Sequence, residues 1–213
     1  MDDWDNGRIC RVRTDRRAVA LTFDDGPDPE YTPQVLDVLE RHGAKGTFFM
    51  LGQRAGKYPH LIRRVAESGH AIGVHSWDHS DFATIGQIQR MEQISRCERV
   101  LSPFAERLFR PPYGRLTIEA HIDCRKLGYK VILWSSLVYD WQRHDASWTA
   151  RRLSEGLLPG GIILMHDHLW RHGEPEEMHP VLSALDYVLA RAKDYSFVSV
   201  PELLSQTERY NDK

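Results

Sequence analysis

The segment "LTFDDGPDPEYTP", Leu21–Pro33, places two carboxylates, Asp24 and Asp25, directly after a short apolar run. Gly26 and Pro27 follow at once, and both residue types favour turns. A turn alone would account for this composition. Adjacent like charges nevertheless repel each other unless a cation lies between them or one carboxylate is neutral. The segment therefore predicts the end of a buried strand, followed either by a plain turn or by a cation site with one carboxylate left for proton transfer.

The bulk composition narrows the class of protein. The chain has 213 residues and a formal net charge of -2, which suits one large domain or two small ones. A nearly neutral charge argues against nucleic acid as the main partner. Cys10, Cys97 and Cys124 form no CxxC pair, so we expect free thiols and not a disulfide framework or a thiolate metal site.

Residues 1–17, "MDDWDNGRICRVRTDRR", are predicted to be a short polar lead-in. They contain no apolar h-region, so they do not form a secretory signal. No apolar stretch approaches the roughly 18 residues needed to span a bilayer. We therefore expect a single domain over residues 1–213, without a transmembrane segment and located in the cytoplasm. A trimmed secreted domain would have the same appearance.

Short apolar runs alternate with amphipathic helical patterns along the chain. The runs are rich in β-branched and aromatic residues, and they predict seven buried strands: Ala18–Phe23, Gly46–Leu51, Ala71–Val74, Leu108–Phe109, Tyr129–Trp134, Gly161–Met165 and Ser196–Val200. Helical faces are predicted over Val35–Leu39, Leu61–Val65, Ile85–Leu101 and Val181–Leu189. This alternation predicts an α/β fold with a parallel sheet, either open and doubly wound or closed into a barrel.

Polar residues follow the predicted strands repeatedly. Asp24 and Asp25 follow the first strand, and the others come after later ones: His75, Arg110, Asp140 and His166. In α/β barrels the carboxyl ends of the strands carry the active site. This repetition favours a closed or nearly closed α/β barrel with one shared cleft.

The segment "HSWDH" places His75 and His79 four residues apart, so that both rings would share one face of a helical turn. Two surface histidines beside a loop would give the same spacing. Together with Asp25 they form a three-ligand set that leaves coordination positions open. That set is typical of catalytic zinc, and a similar set can hold iron.

Three further segments offer groups for chemistry. In "RPPYG", Arg110–Gly114, consecutive prolines fix the backbone and leave the Tyr113 N–H available to a ligand. Asp140 and Trp141 offer a carboxylate and an apolar wall, and His166 in "LMHDH" is a candidate proton donor. A barrel loop, an exposed turn and a core histidine are the alternative interpretations.

The segments "TFDDG", "HSWDH", "RPPYG", "DW" and "LMHD" occur in this order between Thr22 and Asp167. In this the chain resembles the polysaccharide deacetylases of carbohydrate esterase family 4, the NodB-homology domain. The resemblance covers nearly the whole chain. It implies a distorted (β/α) barrel of about seven parallel strands and a metal-dependent hydrolase that removes N-acetyl groups from amino sugars.

The resemblance also implies a role for each matching residue. The general base would be Asp24, oriented by Arg110, and the general acid would be His166. The metal ligands would be Asp25, His75 and His79, holding one divalent ion, most often Zn²⁺, with Co²⁺ or another divalent ion as alternatives. The Tyr113 N–H would stabilise the oxyanion. The residues that contact the substrate would be Pro111, Tyr113, Trp141 and Leu164.

One departure concerns the fourth segment. The family pattern often reads D-x-x-D-W, whereas this chain has "LVYDW", with Leu137 at the first position and Asp140 retained. If the absent carboxylate normally tunes the acid, Asp140 or another group must do so for His166.

The sequence indicates a class of substrate but does not identify the individual substrate. We expect an N-acetylated oligosaccharide or polysaccharide of the chitooligosaccharide, chitin or peptidoglycan type. The alternatives are an O-acetyl esterase acting on xylan, removal of a formyl group from a lipid-linked sugar, a ring amide hydrolase of purine breakdown and an inactive carbohydrate-binding domain. The segment "DHLWRHGEPEEMH" is expected to shape specificity. We expect its residues His168, His172 and His179 to lie in a solvated loop, and the alternative is that they are additional metal ligands.

Overall fold

The strand that ends at Asp24 is an inner strand of a parallel sheet. In this computed structural model, which describes residues 7–171, 174–175 and 178–208, eight strands follow one another in the order β1-β6-β5-β4-β3-β2-β8-β7. They are β1 (Arg8–Ile9), β2 (Ala18–Asp24), β3 (Gly46–Met50), β4 (Ala71–Val74), β5 (Ala105–Phe109), β6 (Lys130–Ile132), β7 (Ser136–Leu137) and β8 (Ile162–His166). All of these pairings are parallel. The expected distorted (β/α) barrel is therefore confirmed.

Shorter strands complete the described structure. β9 (Trp170–Arg171) and β10 (Glu174–Pro175) form an antiparallel pair, and β11 (Ser196–Phe197) pairs with β2. The helices are α1 (Tyr31–Arg41), α2 (Gly52–Lys57), α3 (Pro59–Glu67), α4 (Gln87–Leu101), α5 (Ile118–Lys126), α6 (Ala146–Glu155), α7 (His179–Arg191) and α8 (Val200–Glu208). None of the helices in the described ranges is long and apolar enough to cross a membrane.

All seven predicted strands lie in the sheet, but the sheet contains two more. β1 and β7 each combine one polar and one apolar residue, so neither produces an apolar run that the sequence pattern could reveal. Part of the segment predicted as a polar lead-in joins the fold, since β1 pairs with β6. Ile9 and Val12 are buried, and the Val12 N–H donates to Gly160 O at 2.8 Å, beside the start of β8.

The apolar stripe predicted on α4 is partly wrong. Ile94, Cys97 and Leu101 are buried, but Ile88 is 82% exposed and Met91 is 37% exposed. A step of three residues turns an α-helix by about 300°, so a series of such steps drifts around the helix and leaves the buried face. No disulfide joins the cysteines of the described part of the chain, where Cys97 and Cys124 are buried and Cys10 is half-buried.

Alternate side chains along each strand point to opposite faces of the sheet. This alternation separates two hydrophobic cores and determines the face on which each polar residue lies. On β2, Val19, Leu21 and Phe23 pack against the surrounding helices, while Ala18 and Ala20 pack in a second cluster inside the barrel. Because successive side chains point to opposite faces, Asp24 follows Ala20 on the inner face. By the same alternation His166 follows Ile162 on β8. The sheet therefore directs both residues into the barrel.

Candidate active site

Asp24 is held by a fully buried arginine. Arg110 Nη1 donates to Asp24 Oδ1 at 2.7 Å and to Thr22 Oγ1 at 2.6 Å. The other guanidinium nitrogens donate to the carbonyl oxygens of Ile132 and Leu133 at 3.2 and 3.0 Å. Burial lowers the pKa of Arg110, and Asp24 opposes that shift. This network fixes one carboxylate oxygen of Asp24 and provides its counter-charge.

The chain turns sharply at Asp25. Adjacent side chains on an extended strand point to opposite faces, but Asp25 adopts a left-handed backbone with φ 73°. Its Oδ1 consequently lies 3.3 Å from His75 Nε2 and 3.4 Å from His79 Nε2. Asp24 Oδ2 lies 3.8 Å from the same nitrogen of His75. The two neighbouring carboxylates thus reach one site from two directions.

The histidines come from a loop that follows β4. The prediction of a helical turn over residues 75–79 is wrong, because Ser76 and His79 have left-handed φ angles of 79° and 67°. The two rings still come together, with centroids 5.1 Å apart. His75 Nδ1 lies 2.8 Å from Arg110 O. Since a carbonyl oxygen only accepts, Nδ1 carries a proton, and Nε2 is the nitrogen that faces Asp25.

The donor set fits a divalent cation. The ligand atoms of Asp25, His75 and His79 lie within 4.8 Å of one another. Asp25 Oδ1 is buried without a hydrogen-bond partner among the described residues. An orphaned carboxylate oxygen between two imidazole nitrogens is an arrangement that a cation would satisfy, and this ligand chemistry suits zinc.

The pKa shifts agree with this arrangement. Burial alone would raise the pKa of Asp25, but His75, His166 and His79 outweigh burial and hold the pKa well below its usual range. Burial and the nearby His75 lower the pKa of His79, as a neutral ligand requires. Burial lowers the pKa of His75, but Asp24 and Asp25 raise it overall. The two carboxylates thus favour a positive charge here, either a proton or a cation.

Asp140 is the partner of His166. Asp140 Oδ1 lies 2.8 Å from His166 Nδ1, and Asp140 Oδ2 accepts from the His166 backbone N–H at 2.7 Å. Burial lowers the pKa of His166, but Asp140 outweighs it and the pKa rises to about 10. Asp140 makes both contacts with His166 by itself, so a carboxylate at position 137 is not needed for them. Leu137 lies on β7 beside Leu164.

The remaining predicted residues surround the same site. Tyr113 has a left-handed φ of 58°, and its N–H donates to no other residue in the described part of the chain. Its ring packs against His79 with centroids 4.5 Å apart. Pro111 is buried beside it. Trp141 is 37% exposed, and its ring lies 5.5 Å from that of His166. Leu164 is buried two residues before His166, on the same strand face.

A buried polar network beside the Asp24–Asp25 turn was missed. Asp28 Oδ2 accepts from Arg54 at 2.9 Å and lies 2.8 Å from His168 Nδ1. Thr32 Oγ1 donates to the buried carboxylate of Asp167, and burial raises the pKa of Asp167 to about 7. Asp28 Oδ1 accepts from two backbone N–H groups at the start of α1, a local turn that the spacing "DPEYT" could have indicated.

The prediction that His168 lies in a solvated loop is wrong, because this residue is buried against Asp28. Sequence patterns did not indicate this network, because its residues meet only when β8 pairs with β2 and brings these distant segments together. His179 is exposed at the start of α7, as expected, and His172 lies outside the described residues.

Comparison with known proteins gives a consistent result. The family model "Polysaccharide deacetylase" matches residues 11–132. A peptidoglycan-N-acetylglucosamine deacetylase from Bacillus cereus is 32% identical over 195 residues, which cover 89% of this chain and 69% of that protein. A chitooligosaccharide deacetylase from Azorhizobium caulinodans is 31% identical, covering 92% of this chain and 97% of that protein. A peptidoglycan-N-acetylglucosamine deacetylase from Listeria monocytogenes is 33% identical, but the chain spans only 43% of its length.

A solved structure extends the likeness to three dimensions. The crystal structure of a peptidoglycan N-acetylglucosamine deacetylase superposes with a TM-score of 0.86 and 31% identity, over 93% of both chains. The family model ends at Ile132, so it includes Asp24, Arg110 and the three-ligand cluster. Asp140 and His166 lie beyond it, and this structural match covers most of the chain on both sides of that limit.

Proposed function

We propose that this chain, which belongs to the polysaccharide deacetylase family, hydrolyses the N-acetyl group of an amino sugar and releases acetate. The observation that carries the proposal is the placement of Asp24 and His166. They are register partners on adjacent strands, and they lie beside the Asp25, His75 and His79 cluster. A proton acceptor and a proton donor therefore flank a cation site, as amide hydrolysis requires.

Carbohydrate esterase family 4 is metal-dependent, and this chain has residues that fit such an ion. Asp25, His75 and His79 would hold it, and we propose Zn²⁺ because two imidazoles and one carboxylate form a typical open catalytic zinc set. When bound, the ion would lower the pKa of water and polarise the amide carbonyl.

The protein groups then divide the proton transfers. Asp24 accepts a proton from the attacking water, while Arg110 holds the carboxylate in place through Oδ1 and leaves Oδ2 free to act. The Tyr113 N–H donates to the oxygen that gains negative charge; loss of one such donor costs about 3–4 kcal/mol in comparable sites. His166 donates a proton to the nitrogen as the carbon–nitrogen bond breaks. Acetate and a free amine leave.

The raised pKa of His166 favours an amide over an ester as the bond that is hydrolysed. An amine leaves only when it is protonated, whereas an alkoxide depends less on an acid. Asp140 raises the pKa of His166 to about 10, so the acid is protonated at neutral pH. We therefore place O-acetyl xylan second to N-acetylated sugars. Relatives named for peptidoglycan and for chitooligosaccharides support both as substrate types.

Acetate release tests the proposal. The purified chain, loaded with Zn²⁺ or Co²⁺, is incubated with N-acetylglucosamine oligomers of increasing length, with peptidoglycan and with acetylated xylan. We expect release from the N-acetylated substrates and its loss in His166→Ala. Release from xylan alone would establish an esterase. Absence of release from every substrate by a metal-loaded protein would contradict the proposal.

A further inference from the structure

Helix α4 contacts the loop that carries the two histidines. Gln93 Oε1 accepts from the backbone N–H groups of Trp77 and Asp78, at 2.8 and 3.2 Å. Both N–H groups belong to the segment between His75 and His79. One side chain on a regular helix is thus bonded to the loop midway between two of the proposed metal ligands.

This loop needs external support because its backbone is strained. Ser76 and His79 both have left-handed φ angles, which are unfavourable for residues other than glycine. Such conformations persist only when surrounding contacts fix them. Among the described residues, Gln93 is the side chain outside the loop whose oxygen accepts from the backbone N–H groups of Trp77 and Asp78.

Helix α2 supports the same loop through its backbone. The N–H groups of Gly52 and Gln53 donate to Ser76 O and Trp77 O at 3.0 and 2.9 Å. The Trp77 ring lies against Gly52, where an added Cβ would approach the ring to 2.5 Å, and the Arg96 guanidinium lies 3.8 Å from its centroid. Backbone support of this kind survives a change at Gln93, so the contribution of Gln93 can be tested separately.

The two histidines depend unequally on this support. His75 follows β4 directly, its backbone N–H donates to Met50 O at 3.0 Å and its ring is bonded to Arg110 O. His79 lies at the far end of the loop, where Ser76 Oγ accepts from its N–H at 3.0 Å and its ring contacts Tyr113. The position of His79 therefore depends on the shape of residues 76–78.

We propose that Gln93 is a positioning residue for the metal site. It acts through the backbone of Trp77 and Asp78 to place His79 relative to His75 and Asp25. The inference rests on the proposed metal site, and it concerns binding of the ion before any reaction. Groups that orient metal ligands typically change affinity about 10–100-fold when they are removed.

Substitution Gln93→Met removes the amide while keeping the side-chain length. We expect Zn²⁺ affinity, measured by competition with a chromophoric chelator, to fall about 10–100-fold. Gln93→Glu retains an acceptor oxygen and is expected to bind more tightly than Gln93→Met. The matched control is Glu92→Met, on the adjacent exposed position of the same helix, which should bind Zn²⁺ like the wild type.

Thermal unfolding of the metal-free proteins separates positioning from stability. A purely structural role would lower the melting temperature of Gln93→Met but leave the affinity of the folded protein unchanged, and that result would overturn the inference. Equal affinity for all variants, or no Zn²⁺ binding by the wild type, would also overturn it. A wild type that binds Zn²⁺ but releases no acetate would refute the proposed function only.

Discussion

Both carboxylate oxygens of Asp140 bind His166, one through the ring Nδ1 and one through the backbone N–H. The paired contact fixes the ring and leaves Nε2 as the nitrogen that can give a proton to a substrate. Leu137 stands where the family pattern often has a carboxylate, and the negative partner of His166 comes from Asp140, three residues further along.

Substitution Asp140→Asn should therefore move the alkaline limb of the pH–rate profile. The pKa of His166 is raised to about 10, so the protonated acid is present below that value and lost above it. Removing the carboxylate should lower this pKa by about 1–3 units. Initial rates measured between pH 6 and 11 should fall at lower pH in the variant. An unchanged alkaline limb would show that His166 is not the acid.

Asp24→Asn should abolish proton abstraction while leaving the ion bound. Turnover should fall by about 10²–10⁴-fold, the range typical of general acid–base catalysis. Because Arg110 is fully buried, loss of its counter-charge should also lower the free energy of unfolding by about 3 kcal/mol. Metal content, turnover and urea unfolding are measured on the same preparation. Loss of metal in this variant would contradict the assignment.

Asp25→Asn should lose activity for a different reason from Asp24→Asn. An amide is a weaker ligand than a carboxylate, so metal affinity should fall and added Zn²⁺ should restore part of the rate. A titration of rate against Zn²⁺ concentration distinguishes the two variants. If Asp25→Asn kept full metal occupancy and Asp24→Asn did not, the division of roles would be reversed.

His79→Ala should lose the ion without unfolding. His79 lies in a loop and is only partly buried, whereas the main cores lie on both faces of the sheet. We expect metal content near zero, activity reduced to the level of the chelator-treated wild type and a nearly unchanged circular dichroism spectrum. His60→Ala, at the start of α3 and away from the cluster, provides a control.

Gly26→Ala should disturb the turn that follows Asp24 and Asp25. An added Cβ would approach Asp167 Oδ2 to 2.2 Å, so the turn or the buried carboxylate must move. A displacement of about 1 Å can cost about 10²-fold in rate. Gly56→Ala is the matched control, because its nearest neighbour lies 4.0 Å away and alanine favours the helix. Equal kcat/KM values for the two variants would show that the turn tolerates the change.

The strands and site residues that were predicted from sequence are those marked by a pattern among neighbouring residues. Apolar runs located the main strands, and Asp24, Asp25, His75, Arg110 and His166 stood out because polar residues follow strand ends. The structure brings these residues into one site. β1 and β7 were missed because each contains only one apolar residue, and they are ordered by their partners in the sheet.

The interactions that were missed are non-local. The contact of His168 with Asp28 depends on pairing between β8 and β2, which no local pattern states. The helical prediction for residues 75–79 was wrong because left-handed Ser76 and His79 are stabilised by tertiary contacts that outweigh local preference. The spacing correctly indicated that the rings of His75 and His79 lie together, although the backbone conformation differs.

The pairing of β2 with β8 has a consequence for biosynthesis. Proteins are made from the amino terminus, and Asp25, His75 and His79 all emerge by position 79, whereas β8 begins at Ile162. A nascent chain can therefore expose all three residues well before His166 is made. His166 comes to lie beside Asp24 only when β8 docks beside β2, so the candidate site is assembled with the completion of the sheet.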